Sequence, residues 1–391
     1  MIDTGVIHQG DAVGVLDDLP ESSVHMAMCS PPYFGLRDYG VDGQIGLEDS
    51  LEEYIAEIVD VGRSLRRVLR DDGSWWLNLG DSYSQSGKSN HDKSGTAPDG
   101  QGHSRGHDAG AFGAKNKMLV PHRTAIALQQ DEWVVRNDVV WAKPNPMPES
   151  VTDRLSTTFE FVFHLTPQPD YWYDLDAIRE PYAESSDERY QYGYDPERPS
   201  AEPTDNPVTT AEEIDPNPAG KNPGDVFEVT TKPFPEAHFA VYPPELCEKP
   251  IRASCPPKVC VECGAPYERD VEVGGHRGRV EKSEIDALSQ TKNDSETWSG
   301  RIGEGREREF KGWLQTCDCD TDEIEPGIVL DPFAGAGTTL LVAKRLGRRF
   351  VGIELNEEYV AMGQKRVGID VDHPEFLTDD GQETLPTEAT D

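Results

Sequence analysis

Residues 327–354 read GIVLDPFAGAGTTLLVAKRLGRRFVGIE. Gly327 to Leu330 is an apolar run of strand length, Asp331 to Gly337 is a loop of small residues, and Thr338 to about Leu346 has helical spacing. Arg349 to Ile353 reads as the next strand and ends on Glu354. A glycine loop between strand and helix lets backbone approach a ligand where side chains would collide. An acid at the end of the following strand is placed to accept hydrogen bonds from a ribose, and Glu354 holds that position. No Gly-Lys-Ser/Thr follows the loop, which argues against a phosphate-cradling ATPase loop. The dinucleotide fingerprint is also incomplete, because Leu340 stands at its third glycine position. An adenosyl ligand without pyrophosphate needs neither device. Asp331 is then placed for the ligand's ammonium group or its water shell, and Phe333 for its apolar parts. Read alone, the stretch also admits a plain structural glycine turn.

The same strand–helix alternation extends outward. Val6-Ile7-His8 is a short strand, Ala12 to Leu19 a helix ended by Pro20, and Val24 to Met28 a strand stopped by Ser30-Pro31-Pro32. Ser50 caps a helix running through Leu69, with Glu53 completing a capping box. Asp72-Gly73 turns into the strand Ser74–Leu79. Pro121 to Asp131 reads as a helix, Asp138–Trp141 and Thr158–Leu165 as strands, and a last helix starts near Glu357. This order predicts an α/β fold around a mostly parallel sheet. Three polar stretches interrupt it, at 84–117, at 181–225 and from about 270 to 310, and the tail after Asp370 is acidic.

Cys29-Ser30-Pro31-Pro32-Tyr33 follows a strand, at the end where open α/β sheets place ligands. The prolines fix the backbone and leave carbonyls free as acceptors. An exocyclic amine on cytosine or adenine is a poor nucleophile, since its lone pair is delocalised into the ring. Ser30 and the Pro31 carbonyl are placed to accept its N–H bonds as it attacks a sulfonium methyl in line. Tyr33 offers a flat face to a base extracted from the duplex. A tight Pro-Pro turn with Tyr33 in the core is the bland alternative. Cys29 reads as a packed core thiol rather than as a nucleophile for cytosine carbon-5.

Together, Ser30-Pro31-Pro32-Tyr33 near the start and Asp331-Pro332-Phe333-Ala334-Gly335-Ala336-Gly337-Thr338-Thr339 near the end resemble the amino-group DNA methyltransferases of the permuted β type. The resemblance covers roughly 1–80, 118–180, 234–255 and 326–368. It implies a circularly permuted, Rossmann-like S-adenosylmethionine-dependent methyltransferase fold acting on double-stranded DNA by base flipping. Carried over by motif, Asp11 looks like the acid near the cofactor adenine, and Phe333, Gly335, Gly337 and Thr338 belong to the loop around the methionine part and ribose. Glu354 looks like the ribose ligand, His238 to Leu246 resembles a segment closing over the methionine end, and Asp138 to Asn145 resembles the strand and loop beside the target base. Members with Ser first in the tetrapeptide are mostly cytosine-N4 enzymes, so Ser30 favours that base over adenine N6. A cognate restriction endonuclease is an implied partner. A nucleic-acid-binding protein without turnover and an RNA methyltransferase are the competing readings.

The seven cysteines are too few and too clustered for a disulfide scaffold, which fits an intracellular, cytoplasmic enzyme with one metal site. Cys260-Val-Glu-Cys263 on a Gly264 turn, with Cys317-Asp-Cys319, suits tetrahedral structural zinc in a small zinc-ribbon insertion, although the second pair has one intervening residue rather than two and unligated cysteines are the alternative. Cys255 is a candidate replacement ligand. The expected organisation is therefore a catalytic half at 1–182 with an insertion at 84–117, and an acidic Pro-rich insertion at 183–232 that is a candidate for target recognition. A cofactor-closing segment at 233–254, a Cys-rich zinc module at 255–325, a cofactor-binding half at 326–370 and a tail at 371–391 complete it.

The charge balance pulls the other way. The chain carries 37 Lys and Arg against 73 Asp and Glu, a formal net charge of -36, where a polyanion-binding protein normally shows a basic footprint. A protein adapted to molar salt has this composition. The Debye length there is about 3 Å, so local basic residues still contact phosphates despite distant acids. No apolar run reaches the roughly 18 residues that would read as a membrane span.

Overall fold

The computed structural model describes residues 2–84, 112–182, 217, 219–232, 241–273 and 308–368. It divides into two compact units. One comprises Met1–Asp174, Gly224–Pro266 and Cys317–Asp391, and the other comprises Leu175–Pro223 and Tyr267–Thr316.

The first unit is built on an eight-stranded sheet. In chain order its strands are β1 (Val6–Gln9), β2 (Val24–Cys29), β3 (Leu69–Leu79), β4 (Val134–Ala142), β5 (Phe159–Thr166), β6 (Val226–Glu228), β11 (Ile328–Asp331) and β12 (Arg349–Glu354). Across the sheet they lie in the order β1-β12-β11-β2-β3-β5-β4-β6. The pairs from β1 to β3 are parallel, β5 runs antiparallel to β3 and β4, and β6 lies parallel to β4. The first strand thus pairs with the last, as a permuted order requires.

Strand β2 is buried along its whole length and shows why. Ala27 and Cys29 face one apolar cluster, Met26 and Met28 the other. The first cluster takes Leu16 of α1 (Ala12–Asp18), Tyr54, Ile58 and Leu65 of α2 (Leu51–Val68), and Leu128 of α3 (Val120–Gln130). The second takes Leu246 and Ile251 of α4 (Glu245–Ser254), Leu340 and Val342 of α5 (Thr338–Arg345), and Val360 and Val367 of α6 (Glu357–Val367). A sheet covered on both faces needs apolar residues on both sides of its central strands. The capping box at Ser50 and Glu53 forms as expected, each side chain bonding the other's backbone N–H.

Two local expectations change. The Asp72-Gly73 turn is instead a bulge inside one long strand, because Val24 pairs with Leu69 but Met26 already pairs with Ser74. The stretch expected to be an insertion, 183–232, contributes β6 to the main sheet. Three residues are too short a run for alternation to reveal. Of the polar stretches, 85–111, 183–216 and 274–307 lie outside the described residues, as does the tail beyond Gly368.

The 255–325 module is likewise divided. Its cysteine-bearing ends lie in the first unit with β7 (Val259–Cys260) and β10 (Ile324–Glu325), which pair antiparallel. Residues 267–316 lie in the second unit with the antiparallel pair β8 (Glu268–Val273) and β9 (Arg308–Leu314). There the Arg269 guanidinium lies over the rings of Phe310 and Trp313, and Lys311 pairs with Glu272 and Glu309. Among the described residues no helix is long and apolar enough to cross a membrane.

Candidate active site

Strand order reverses between β11 and β2. From β11 the chain returns through α5 to β12 on one side, and from β2 through α2 to β3 on the other. The loops leaving the carboxyl ends of β11 and β2 therefore diverge and leave a crevice, where ligands of open α/β sheets sit. A cavity of about 950 Å³ occupies that place.

Its wall brings together the two distant motifs. Ser30, Pro31, Pro32 and Tyr33 line it, and so do Asp11, Phe333, Gly335, Thr338 and Glu354. Asp11 caps α1 by accepting from the Gly14 N–H at 3.0 Å. Glu354 accepts from Gly335 N and from Asn356 N, both at 2.8 Å, and burial pushes its carboxyl up. Each of its oxygens keeps a lone pair beyond these bonds.

Asp331 and Gly337 stand behind the wall. Asp331 ends β11, 1 % exposed, and accepts from Phe333 N at 3.0 Å and from the Tyr242 hydroxyl at 3.2 Å. Burial raises its carboxyl to about 7. Tyr242 lines the cavity, and its hydroxyl also bonds Thr339. Gly337 caps α5 with φ +73°, and a Cβ there would lie 3.1 Å from Val367 and 3.3 Å from Gly363. Its glycine serves the close approach of α6 to the loop. Of the segment expected to close over the cofactor, His238 to Ala240 lie outside the described residues, whereas Val241 and Tyr242 line the cavity.

At the other end of the cavity the Tyr33 ring lies close against Gly80, where a Cβ would come within 2.4 Å of it. Its hydroxyl faces Glu160 Oε2 at 2.7 Å and Asn78 Oδ1 at 3.0 Å, and Ser30 Oγ donates to it at 3.3 Å. Lys143 ion-pairs with the other oxygen of Glu160 and lies 4.3 Å from the Trp141 ring centre. Burial, with the nearby Glu160 charge adding to it, pushes the Tyr33 phenol well above its ordinary value. The antiparallel register brings this group together, since Asn78 pairs with Val162 and Leu79 with Phe161.

Asn78, Glu160 and Asp81 escaped the sequence reading. The signal for Glu160 was the one acid in the stretch Phe159–Leu165, whose other residues are apolar apart from His164. Asp81 lines the cavity, and its Oδ1 accepts from Ser82 N at 2.9 Å and Val120 N at 3.0 Å, which sets the start of α3. Cys29 is a core thiol, as expected. It is fully buried, accepts from Trp75 Nε1 at 3.3 Å, and burial pushes it well above the usual thiol range.

At the opposite, amino ends of the strands, the sulfurs of Cys260, Cys263, Cys317 and Cys319 all lie within 4.8 Å of one another. Cys255 is not among them and is buried in the core. The turn between the first pair is closed by Gly264 N to Cys260 O at 2.8 Å and Cys260 N to Ala265 O at 2.9 Å. Two side chains latch it to the sheet. Arg70, held by Asp72, donates to the Cys263 carbonyl at 3.0 Å. His25 of β2 accepts from Ile328 N at Nδ1 (3.1 Å), so its Nε2 carries the proton and donates to the Gly264 carbonyl at 3.0 Å. Burial lowers His25 to about 4, which keeps the ring neutral at neutral pH.

A family model described as DNA methylase matches residues 24–261 and 322–365. The chain is 32% identical over 358 residues to the Type II methyltransferase M.SmaI of Serratia marcescens, covering 92% of this chain and 89% of that one. It is 33% identical to the Type II methyltransferase M.Cfr9I of Citrobacter freundii, covering 92% and 87%. Among solved structures, the PvuII DNA methyltransferase (cytosine-N4-specific) aligns with a TM-score of 0.51 at 15% identity, covering 94% of this chain and 87% of that one, a likeness of fold. With the permuted strand order and the paired motifs on one cavity, these matches make the chain a member of the N6/N4 DNA methylase family.

Proposed function

We infer that the protein is a site-specific methyltransferase that moves a methyl group from S-adenosylmethionine to the N4 amino group of cytosine in double-stranded DNA. One observation carries this reading: Ser30 to Tyr33 and the Phe333–Thr338 loop, far apart in sequence, share the wall of one cavity. The donor fits the residues present. Glu354 and Asp11 are the acids for its ribose and adenine, Phe333 and Gly335 line its path, and the buried Asp331 lies behind its cationic end. When bound, the donor supplies an electrophilic methyl on a sulfonium sulfur.

The chain's own residues do the rest. Ser30 Oγ and the Pro31 carbonyl accept the amine's N–H bonds and raise electron density on nitrogen. The Tyr33 ring, backed by Gly80, gives the extruded base a stacking surface. The cavity holds the amine in line. Ser30 favours cytosine N4 over adenine N6 by its likeness to the Ser-first members of the family. Nucleoside mass spectrometry of DNA from cells expressing the protein tests this. N4-methylcytosine is expected, and N6-methyladenine alone would overturn the choice of base.

The four cysteine sulfurs fit a structural zinc ion. Tetrahedral ligands at about 2.3 Å stand roughly 3.8 Å apart, within the spread seen here. Elemental analysis of purified protein tests the site, with one zinc per chain expected. The net charge of -36 supports work at molar salt, and methylation rising from low salt toward the molar range is the matching result. A restriction endonuclease reading the same DNA site is the partner this reading implies.

A further inference from the structure

The hydrogen bonds around Tyr33 have a direction that the donors and acceptors dictate. Asn78 Nδ2 donates to the Phe161 carbonyl at 3.1 Å, so the amide oxygen is the atom turned toward Tyr33. Glu160, ion-paired with Lys143, offers Tyr33 only an acceptor. The phenol proton therefore points at Asn78 or Glu160, and toward Ser30 the phenol oxygen can only accept. Ser30 has a single hydroxyl proton, and it is spent on Tyr33. What Ser30 then presents to the cavity is lone pairs.

We propose that Tyr33, Asn78 and Glu160 lock Ser30 as a pure hydrogen-bond acceptor, so that the site admits a base with an exocyclic amine and rejects one with a carbonyl at the same position. This rests on the reading that Ser30 faces the target base. Asn78 and Glu160 are positioning residues, acting through Tyr33. The amine of cytosine donates to such an oxygen. The O4 of uracil, otherwise the same ring, meets lone pair against lone pair. A site that demands a hydrogen bond discriminates more sharply than an apolar pocket, because the mismatched partner leaves buried groups unpaired. Removing the lock frees the Ser30 proton to rotate into the cavity and meet a carbonyl.

The test measures duplex affinity in the presence of S-adenosylhomocysteine, using the methylated site mapped by sequencing with cytosine or uracil at the target position. The U·G mismatch eases extrusion equally for every variant, so the answer lies in how the uracil-to-cytosine ratio of dissociation constants changes between variants. In Tyr33→Phe that ratio is expected to fall about fivefold to tenfold, the worth of one redirected hydrogen bond. In Glu160→Gln, Lys143 holds the new amide oxygen and turns its N–H toward Tyr33, and a fall of about threefold is expected. If Tyr33→Phe does not fold, Glu160→Gln decides. An unchanged ratio in the folded variants overturns the lock. Ser30→Ala separates the two levels: if it methylates at the wild-type rate, the reading of Ser30 itself fails, whatever the ratios show.

Discussion

Strands β2, β3 and β11 carry different chemistry at their two ends. At the amino ends the cysteine turn is fastened by His25 and Arg70, and both His25 ring nitrogens have partners. At the carboxyl ends, one residue past β2 and at the last residue of β11, sit Ser30 and an acid that burial raises to about 7. At the amino end the latching side chains are satisfied and the His25 ring is neutral. The other end keeps groups whose best partner is a ligand. Sheets of this kind divide the labour, holding strained or desolvated groups where substrates bind and offsetting them elsewhere along the same strands.

The largest expected effect tests the carboxyl end. Ser30→Ala should lower single-turnover methyl transfer by about 100-fold or more while leaving cofactor affinity within about threefold. Equal loss of both would make Ser30 a fold residue and collapse the contrast between the ends. Removing the metal tests the amino end. Chelation, or Cys263→Ser, is expected to lower the thermal midpoint by about 10 °C, corresponding to roughly 3 kcal/mol. No shift on full removal of zinc, checked by elemental analysis, would mean that the cysteine turn fastens nothing.

His25→Phe should act in the same direction but less, by about 2 kcal/mol, since it strands the Ile328 N–H and the Gly264 carbonyl. Denaturant melts at neutral pH measure it. Methylation per folded molecule should stay near wild type, which distinguishes a fastening from a catalytic part.

The smallest effect has the opposite sign. The Asp331 carboxyl is raised from 3.8 to about 7, so between those values the folded chain holds a proton that the unfolded chain lacks. Its contribution favours folding at low pH and is lost as pH rises through that window. Asp331→Asn should thus gain on the wild type from pH 4 upward and level off above pH 7. Its advantage there is about 1–2 kcal/mol once the weakened acceptor at Tyr242 is subtracted. Its cofactor affinity should fall. A variant that is more stable and binds equally well would show that Asp331 carries no functional burden.

Much of this was legible because it is local. The strand–loop–helix–strand run at 327–354 needs only apolar spacing, glycines and one acid, and each appears where expected within a residue or two. The Ser50–Glu53 box is likewise a four-residue pattern. Thiols are scarce enough that two close pairs point to one site, and their sulfurs do converge. The Tyr33–Glu160 contact, between residues 127 apart in sequence, was not legible, because it depends on the register of β3 against β5, which packing sets and no local pattern announces. The same holds for β6, recruited by the edge of β4, and for the split of the cysteine module between two units.

The pairing of β1 with β12 also sets a timetable. Within the described residues β1 has no other neighbour, and β2 has one open edge until β11 slots in beside it. A chain growing from its amino end thus presents two unpartnered strand edges through synthesis of about three hundred residues. Only when 328–354 emerges does a single insertion close both edges and complete the cavity. Such long-range closure is slow and exposes strands to mispairing, which makes the emergence of this last hairpin-free strand pair the step at which a helper chaperone would matter most.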